Sequence, residues 1–226
     1  MSTHEPDAGP RSKNSPTWEQ RLDEVEFGGL RLSMNALYLQ QLATFREELV
    51  GKTVLVPGFA NFPDAMWLAS IGARVVGVDS SSEGCSDYKM HWETRRESVA
   101  GVLDICQFDV RDYVRSVKTD AFYAVISELL IHIFSRAEQA HVLEEFQRVI
   151  QPGGFLLLTA LASGDRNFPT CPDLVAGKDL TDQFPEDQWT VQQCVEYEEG
   201  TAHSHSNGER HNFPHRIVLF VARRHA

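Results

Sequence analysis

The sequence predicts one α/β domain: an open, mostly parallel sheet of seven strands with helices on both faces, finished by an antiparallel pair of strands. Three observations carry that prediction. Short β-branched and apolar runs alternate with helical segments from Val54 to Ala160, the order that builds a parallel sheet through crossover connections. The run Phe155–Ala160 is apolar enough for the middle of a sheet covered on both faces. Two last strand-like runs, Gln188–Glu199 and Ile217–Arg223, flank a polar hairpin over Gly200–Pro214, which makes them antiparallel. A chain of 226 residues suffices for one sizeable core and is short for two.

In chain order, Met1–Thr17 carries Pro6, Pro10 and Pro16 among polar residues. Such a segment buries too little to offset ordering entropy, so a disordered tail over 1–17 precedes a domain over 18–226. Helical character begins at Trp18–Asp23, and Met34–Leu49 places Leu37, Leu39, Leu42 and Phe45 at near-helical spacing. Val54–Val56 is the first strand, stopped by Pro57-Gly58. Ala65–Ala69 continues as helix until Gly72, and Arg74–Val78 is the second strand, with Asp79 at its carboxyl end. Ser82–Thr94 reads as a helix, and Leu103–Phe108 as a third strand ending at Asp109. Arg111–Val117 is a short helix, and Phe122–Ser127 a strand running into Glu128–His132. Ser135-Arg136-Ala137-Glu138 has the form of a capping box before a helix whose apolar face is Val142, Leu143, Phe146, Val149 and Ile150, with Pro152-Gly153-Gly154 as its stop. Trp67, Phe146 and Val149 are assigned to the core. Ser163–Pro185 is rich in Gly, Pro and Asp and reads as a long loop without helix or strand; loops of that length are often functional.

Charge and cysteine usage restrict the function. With 21 basic against 32 acidic residues the net charge is −11, unfavourable for broad nucleic-acid or anionic-membrane binding. The four cysteines have no Cys-x-x-Cys spacing, so neither a zinc knuckle nor a disulfide framework is indicated. The longest apolar runs fall well short of the ~20 residues of a spanning helix. A cytoplasmic protein acting on a small molecule is the expectation. His203, His205, His211 and His215 cluster in or next to the polar hairpin. A polar turn accounts for them as well as a base or a metal site does, and no metal is assigned.

The stretch Val54–Asp79, VLVPGFANFPDAMWLASIGARVVGVD, reads as the strand, turn, helix and strand that hold an adenosine-containing cofactor, the closing acid meeting ribose hydroxyls. Together with Asp109, the strand Phe122–Ser127 and the Pro152-Gly153-Gly154 turn, it resembles the class I S-adenosylmethionine-dependent methyltransferases, whose fold is Rossmann-like. Within them it is similar to the thiopurine and methyl halide/thiol methyltransferase group, in which a Pro follows the first strand. The half from Phe168-Pro169-Thr170-Cys171 to Val221-Ala222-Arg223-Arg224 looks like the tellurite-resistance methyltransferases. The resemblance implies S-adenosylmethionine as cofactor. Pro57 and Gly58 would lie beside its methionine moiety, Asp79 and Ser80 at the ribose, and Asp109 and Val110 at the adenine. Glu128 to His132 would line the pocket between cofactor and acceptor, and Trp18 would cover the site. Three positions depart from the family: its acid at the end of the first strand is Val56 here, and its second and third loop glycines are Ala60 and Phe62.

Both groups of relatives methylate soft, polarisable acceptors, so a thiol, selenium, tellurium or halide-like acceptor is expected. In-line transfer from a sulfonium mainly needs alignment and exclusion of water. Where a base is required, His203 or His205 would serve, with Arg210 or Arg216 orienting an anionic acceptor. Trp18, Phe168 and Trp189 are candidates for an apolar acceptor pocket, or for ordinary packing. Two other readings stay open: a hydroxyl or amine acceptor with a hairpin histidine as base, and a cofactor-binding sensor or scaffold that has lost transfer.

Overall fold

A computed structural model describes residues 36–59, 64–96, 100–166, 173–200, 203–204, 210–211 and 214–226. The expected tail and Trp18 lie outside the described residues, as do Ala60, Phe62 and Phe168; of His203 and Arg210 the backbone alone is described. The elements are α1 (Ala36–Thr44), α2 (Arg46–Leu49), β1 (Thr53–Pro57), α3 (Asp64–Ser70), β2 (Arg74–Asp79), α4 (Ser82–Arg95), β3 (Val102–Gln107), α5 (Val110–Ser116), β4 (Phe122–Ser127), a 3-10 turn (Ile131–Ile133), α6 (Arg136–Val149), β5 (Ile150–Leu161), α7 (Gly177–Thr181), β6 (Trp189–Gly200), β7 (His203–Ser204), β8 (Arg210–His211) and β9 (Pro214–Arg224).

Seven strands form one sheet in the order β3-β2-β1-β4-β5-β9-β6. The first five are mutually parallel, while β9 is antiparallel to both β5 and β6. This is the expected Rossmann-like sheet with its antiparallel end. Strand alternation divides the core into two layers. Val54, Val56, Phe155, Leu157, Leu219 and Val221 pack under α1 to α4 on one face, and Leu55, Val125, Leu156, Leu158, Val218 and Phe220 under α5 to α7 on the other. Trp67, Phe146 and Val149 are buried as expected. No helix among the described residues is long and apolar enough to cross a membrane.

Three expectations are corrected. The helical spacing expected over Met34–Leu49 is interrupted, among the described residues, at Phe45, whose ring stacks on Phe155 at 4.2 Å; docking that ring on the sheet outweighs continuing the helix. Pro152-Gly153-Gly154 does not separate helix from strand, because α6 ends at Val149 and Ile150 already pairs with Phe122. The tripeptide instead falls within β5, beside an irregularity in the β4–β5 register. Gly154 packs so closely on Tyr123 that a Cβ would sit 2.2 Å from its carbonyl oxygen. The segment Ser163–Pro185 contains α7 and a bridge between Ala162 and Val175. It is pinned by Gln139, whose Nε2 donates to the carbonyls of Phe134 and Asp173.

Where α2 meets the β4–β5–β9 region, Arg223 forks onto Glu48, with nitrogens 2.6 and 3.0 Å from the two carboxylate oxygens, and donates to the Gly153 carbonyl at 2.9 Å. Its guanidinium lies 5.3 Å from the Phe155 ring centre, and the Tyr123 hydroxyl donates to the same Glu48 carboxylate. Burial pulls the Glu48 carboxyl upward, but the hydrogen bonds from Arg223 and Tyr123 outweigh it and hold the group below its usual range. Glu48→Ala strands two donors in a half-buried setting, so it is expected to lower the unfolding free energy by about 1–3 kcal/mol. Urea titration reads this directly, and an unchanged midpoint would show that the fork adds no stability.

Candidate active site

The strand order reverses between β1 and β4, and in open α/β sheets ligands bind outside the carboxyl ends of the strands at such a switch point. The residues there are Pro57 and Gly58 after β1, Asp79 ending β2, Asp109 after β3, and Ser127 and Glu128 at the end of β4. Gly58 adopts φ +72°, and a Cβ on it would lie 2.8 Å from Leu130 Cδ1, so this turn is built for glycine. Its N–H donates to the Val78 carbonyl at 2.7 Å, drawing the turn over β2. Phe59 fills the space above Gly77 and meets Tyr88 edge to face at 4.6 Å.

The two acids at adjacent strand ends are held differently. Asp79 Oδ1 accepts from the Ser81 N–H at 2.8 Å, and Ser80 is exposed beside it. Asp109 caps α5, its Oδ1 accepting from Arg111 N at 2.9 Å, and it is gripped by the Arg111 side chain, Nε to Oδ1 at 2.9 Å and NH2 to Oδ2 at 2.6 Å. The Arg111 hydrogen bonds, outweighing some burial, hold the Asp109 carboxyl below its usual range. Val110 is buried as the first residue of α5.

On the face covered by α1, buried polar groups collect that sequence reasoning did not single out. The Tyr38 hydroxyl donates to Asp64 Oδ2 at 2.5 Å, and Glu128 hydrogen-bonds the same Asp64 carboxyl. Asp64 is 2% exposed and Glu128 6%. Two carboxyls joined in this way hold a proton between them. Burial drives Asp64 up to about 6, against the opposing hydrogen bonds from Tyr38 and Glu128. Burial, with Asp64 and Glu128 beside it, pushes the Tyr38 phenol well above its ordinary value. Tyr197 on β6 feels both Glu199 and Glu128 and hydrogen-bonds Glu199. Val56 is buried in the apolar layer of this face, so at the end of β1 the chain has core where the resembled family has an acid.

Other candidates are also placed. His132 Nδ1 accepts from the Leu161 N–H at 3.3 Å. His215 is buried with Nδ1 3.0 Å from Asp165 Oδ2, which also accepts the Arg216 N–H at 2.8 Å. The Arg216 guanidinium pairs with Glu196, NH2 to Oε2 at 2.8 Å. The backbones of His203 and Arg210 fall in the small β7–β8 ladder, and His205 lies outside the described residues. Trp189 is buried against Phe184 at the start of β6, opposite Arg224, and so packs at the edge away from the carboxyl ends. Asp64 was hard to find because an acid after Pro63 reads as an ordinary first-turn helix residue; nothing local announces its burial.

Strand order and the antiparallel finish define a Rossmann-like fold, one shared with solved S-adenosylmethionine-dependent methyltransferases. Among solved structures the chain is similar to TehB from Haemophilus influenzae, with a TM-score of 0.63 at 14% identity over 81% of this chain and 61% of that one. It is similar to magnesium protoporphyrin IX methyltransferase (ChlM) from Synechocystis PCC 6803 with bound SAM, with a TM-score of 0.59 at 14% identity over 84% and 76%. A third similar structure is described for conversion of a disulfide bond into a thioacetal group during echinomycin biosynthesis, with a TM-score of 0.63 at 19% identity over 84% and 81%.

Residues 58–158 match the family described as a methyltransferase domain. That match spans less than half of the 226-residue chain. No curated protein matches the sequence. The residues at this edge fit S-adenosylmethionine, the ligand named for one of the similar structures: a glycine-only turn beside β1, carboxylates at the ends of β2 and β3, and the Ser127 hydroxyl at the end of β4, buried with no hydrogen-bond partner among the described residues.

Proposed function

We propose that the chain transfers the methyl group of S-adenosylmethionine to a small, soft acceptor, a thiol or a selenium, tellurium or halide-like centre. The observation that carries the reading is the methyltransferase-domain match lying over a glycine turn with acids at two neighbouring strand ends. Asp79, with Ser80 beside it, holds the ribose hydroxyls; Asp109 and the Val110 backbone meet the adenine; Pro57 and Gly58 back the methionine moiety; and Trp18 is the candidate from the sequence for covering the cofactor. The cofactor supplies an electrophilic methyl group on a sulfonium. Glu128 lines the space between cofactor and acceptor. A soft acceptor is favoured by the sequence resemblance to thiol and tellurite-resistance methyltransferases and by the sulfur chemistry named for one similar structure. It also needs the least from the protein, because thiols and selenols ionise near neutral pH and alignment alone then suffices. His203 and His205, with Arg210 and Arg216, remain the base and anion-orienting candidates for acceptors that must lose a proton.

One observation favours a second reading. Asp64, Glu128 and Glu199, with Tyr38 and Tyr197 among them, make the described part of this edge acidic, and buried carboxylates favour a cationic partner. An amine-bearing acceptor would use them. Calorimetry with S-adenosylmethionine and S-adenosylhomocysteine is expected to show binding, and absence of heat with both would remove every cofactor-dependent role. Mass spectrometry of reactions with thiols, selenite, tellurite and halides beside primary and secondary amines then separates the readings: methylated thiol or chalcogen products support the first, methylated amines alone the second.

A further inference from the structure

Arg111 does more than neutralise its neighbour. Its Nε and NH2 take both oxygens of Asp109, and NH1 reaches Glu138 Oε1 at 2.5 Å, across 27 residues of sequence. Glu138 is itself held, its Oε2 accepting from the Ser135 N–H at 3.0 Å and the Ser135 hydroxyl at 2.8 Å in the capping box of α6. The guanidinium lies 5.5 Å from the Phe134 ring centre. An acid at the carboxyl end of the parallel sheet is thus braced through a planar fork onto the capped start of a second helix. Stability is a weak explanation for three side chains spent in this way. Arg111, Asp109 and Glu138 are 36%, 34% and 42% exposed, and ion pairs that open to water contribute little. What a bidentate fork does supply is orientation, since it fixes the plane of the carboxylate. Two donors from Arg111 fall on Oδ1 and one on Oδ2, and the Asp112 N–H adds a bond to the same carboxylate, so the fork and the helix start together fix how this group is oriented.

We propose that Arg111, braced by Glu138, is a positioning residue that orients the Asp109 carboxylate toward the exocyclic amino group of the cofactor's adenine and so makes the site select an amino-purine over an oxo-purine. The inference rests on the assignment of Asp109 to the adenine end. An oxo-purine offers a carbonyl where the amino group stood, and a carboxylate facing it is left without a donor.

The test is calorimetry on the full chain with S-adenosylhomocysteine and its deaminated, 6-oxo counterpart S-inosylhomocysteine. Wild type is expected to prefer the adenine compound by roughly 10- to 100-fold, the range of one hydrogen bond to a charged group. Arg111→Gln and Arg111→Lys are each expected to bring the preference to within a few-fold while both remain folded by circular dichroism. Lysine tests whether charge without the fork is enough. Glu138→Gln should fall between them and wild type. Wild-type binding of both compounds with equal affinity overturns the proposal, as does a preference that survives in Arg111→Gln or Arg111→Lys, which would leave the network a structural staple. Binding of neither compound by wild type overturns the cofactor assignment itself, and this proposal with it.

Discussion

Asp79→Ala is expected to weaken S-adenosylmethionine binding roughly 100-fold. On the proposed assignment a ribose diol donates two hydrogen bonds to the Asp79 carboxylate, and two such bonds, each of about 1.5–3 kcal/mol gross and partly regained from water, leave a loss near that size. The side chain is half-buried, and it accepts a hydrogen bond from Ser81 N at 2.8 Å, which opens the turn into α4. Losing it costs about 1 kcal/mol, equivalent to a melting shift of roughly 2–4 °C for a domain of this size. Asp79→Asn keeps an acceptor for Ser81 and one for the ribose, and is expected to bind with intermediate affinity. Calorimetry with a parallel thermal melt separates the two effects. A large fall in melting temperature with little change in affinity would place Asp79 in the fold and remove it from the site.

Asp64→Asn is expected to change how stability depends on pH. The folded Asp64 carboxyl is raised from its ordinary value of 3.8 to about 6, so the folded chain binds a proton there more tightly than the unfolded chain. Stability from that proton is complete below pH ~4 and is lost as pH rises through about 6. A gap of that size corresponds to on the order of 3 kcal/mol. Asparagine keeps an oxygen for Tyr38 and offers an N–H to Glu128, replacing the shared proton with a permanent one. Urea midpoints at pH 4 and pH 8 should therefore diverge: relative to Asp64→Asn, wild type becomes less stable across the interval. Parallel curves for the two proteins would show that Asp64 holds no raised proton.

These two acids differ in how they could be found. Asp79 and Asp109 were legible because an acid closing a β-branched run after a glycine-broken helix is a local pattern, and the parallel sheet places every such end on one edge. The capping box at Ser135 and Glu138 was legible for the same reason, being satisfied within four residues. The buried and bridging side-chain pairs were not legible. Tyr38 meets Asp64 across 26 residues, Arg111 meets Glu138 across 27, and Asp165 meets His215 across 50; no period or spacing announces such pairs. The expected stop at Pro152-Gly153-Gly154 failed in a similar way. Local chemistry marks a break there, but the pairing of Ile150 with Phe122 carries the strand back to the end of the helix.

By itself the sequence determined the sheet, its antiparallel finish and the edge on which acids would gather, because alternating apolar runs can be buried in few ways and those ways are chiral. Tertiary structure alone decided which carboxyls are dry, which share a proton and which are braced by an arginine. Desolvation and hydrogen bonding act through space, so an aspartate takes its chemistry from the residues the fold packs against it.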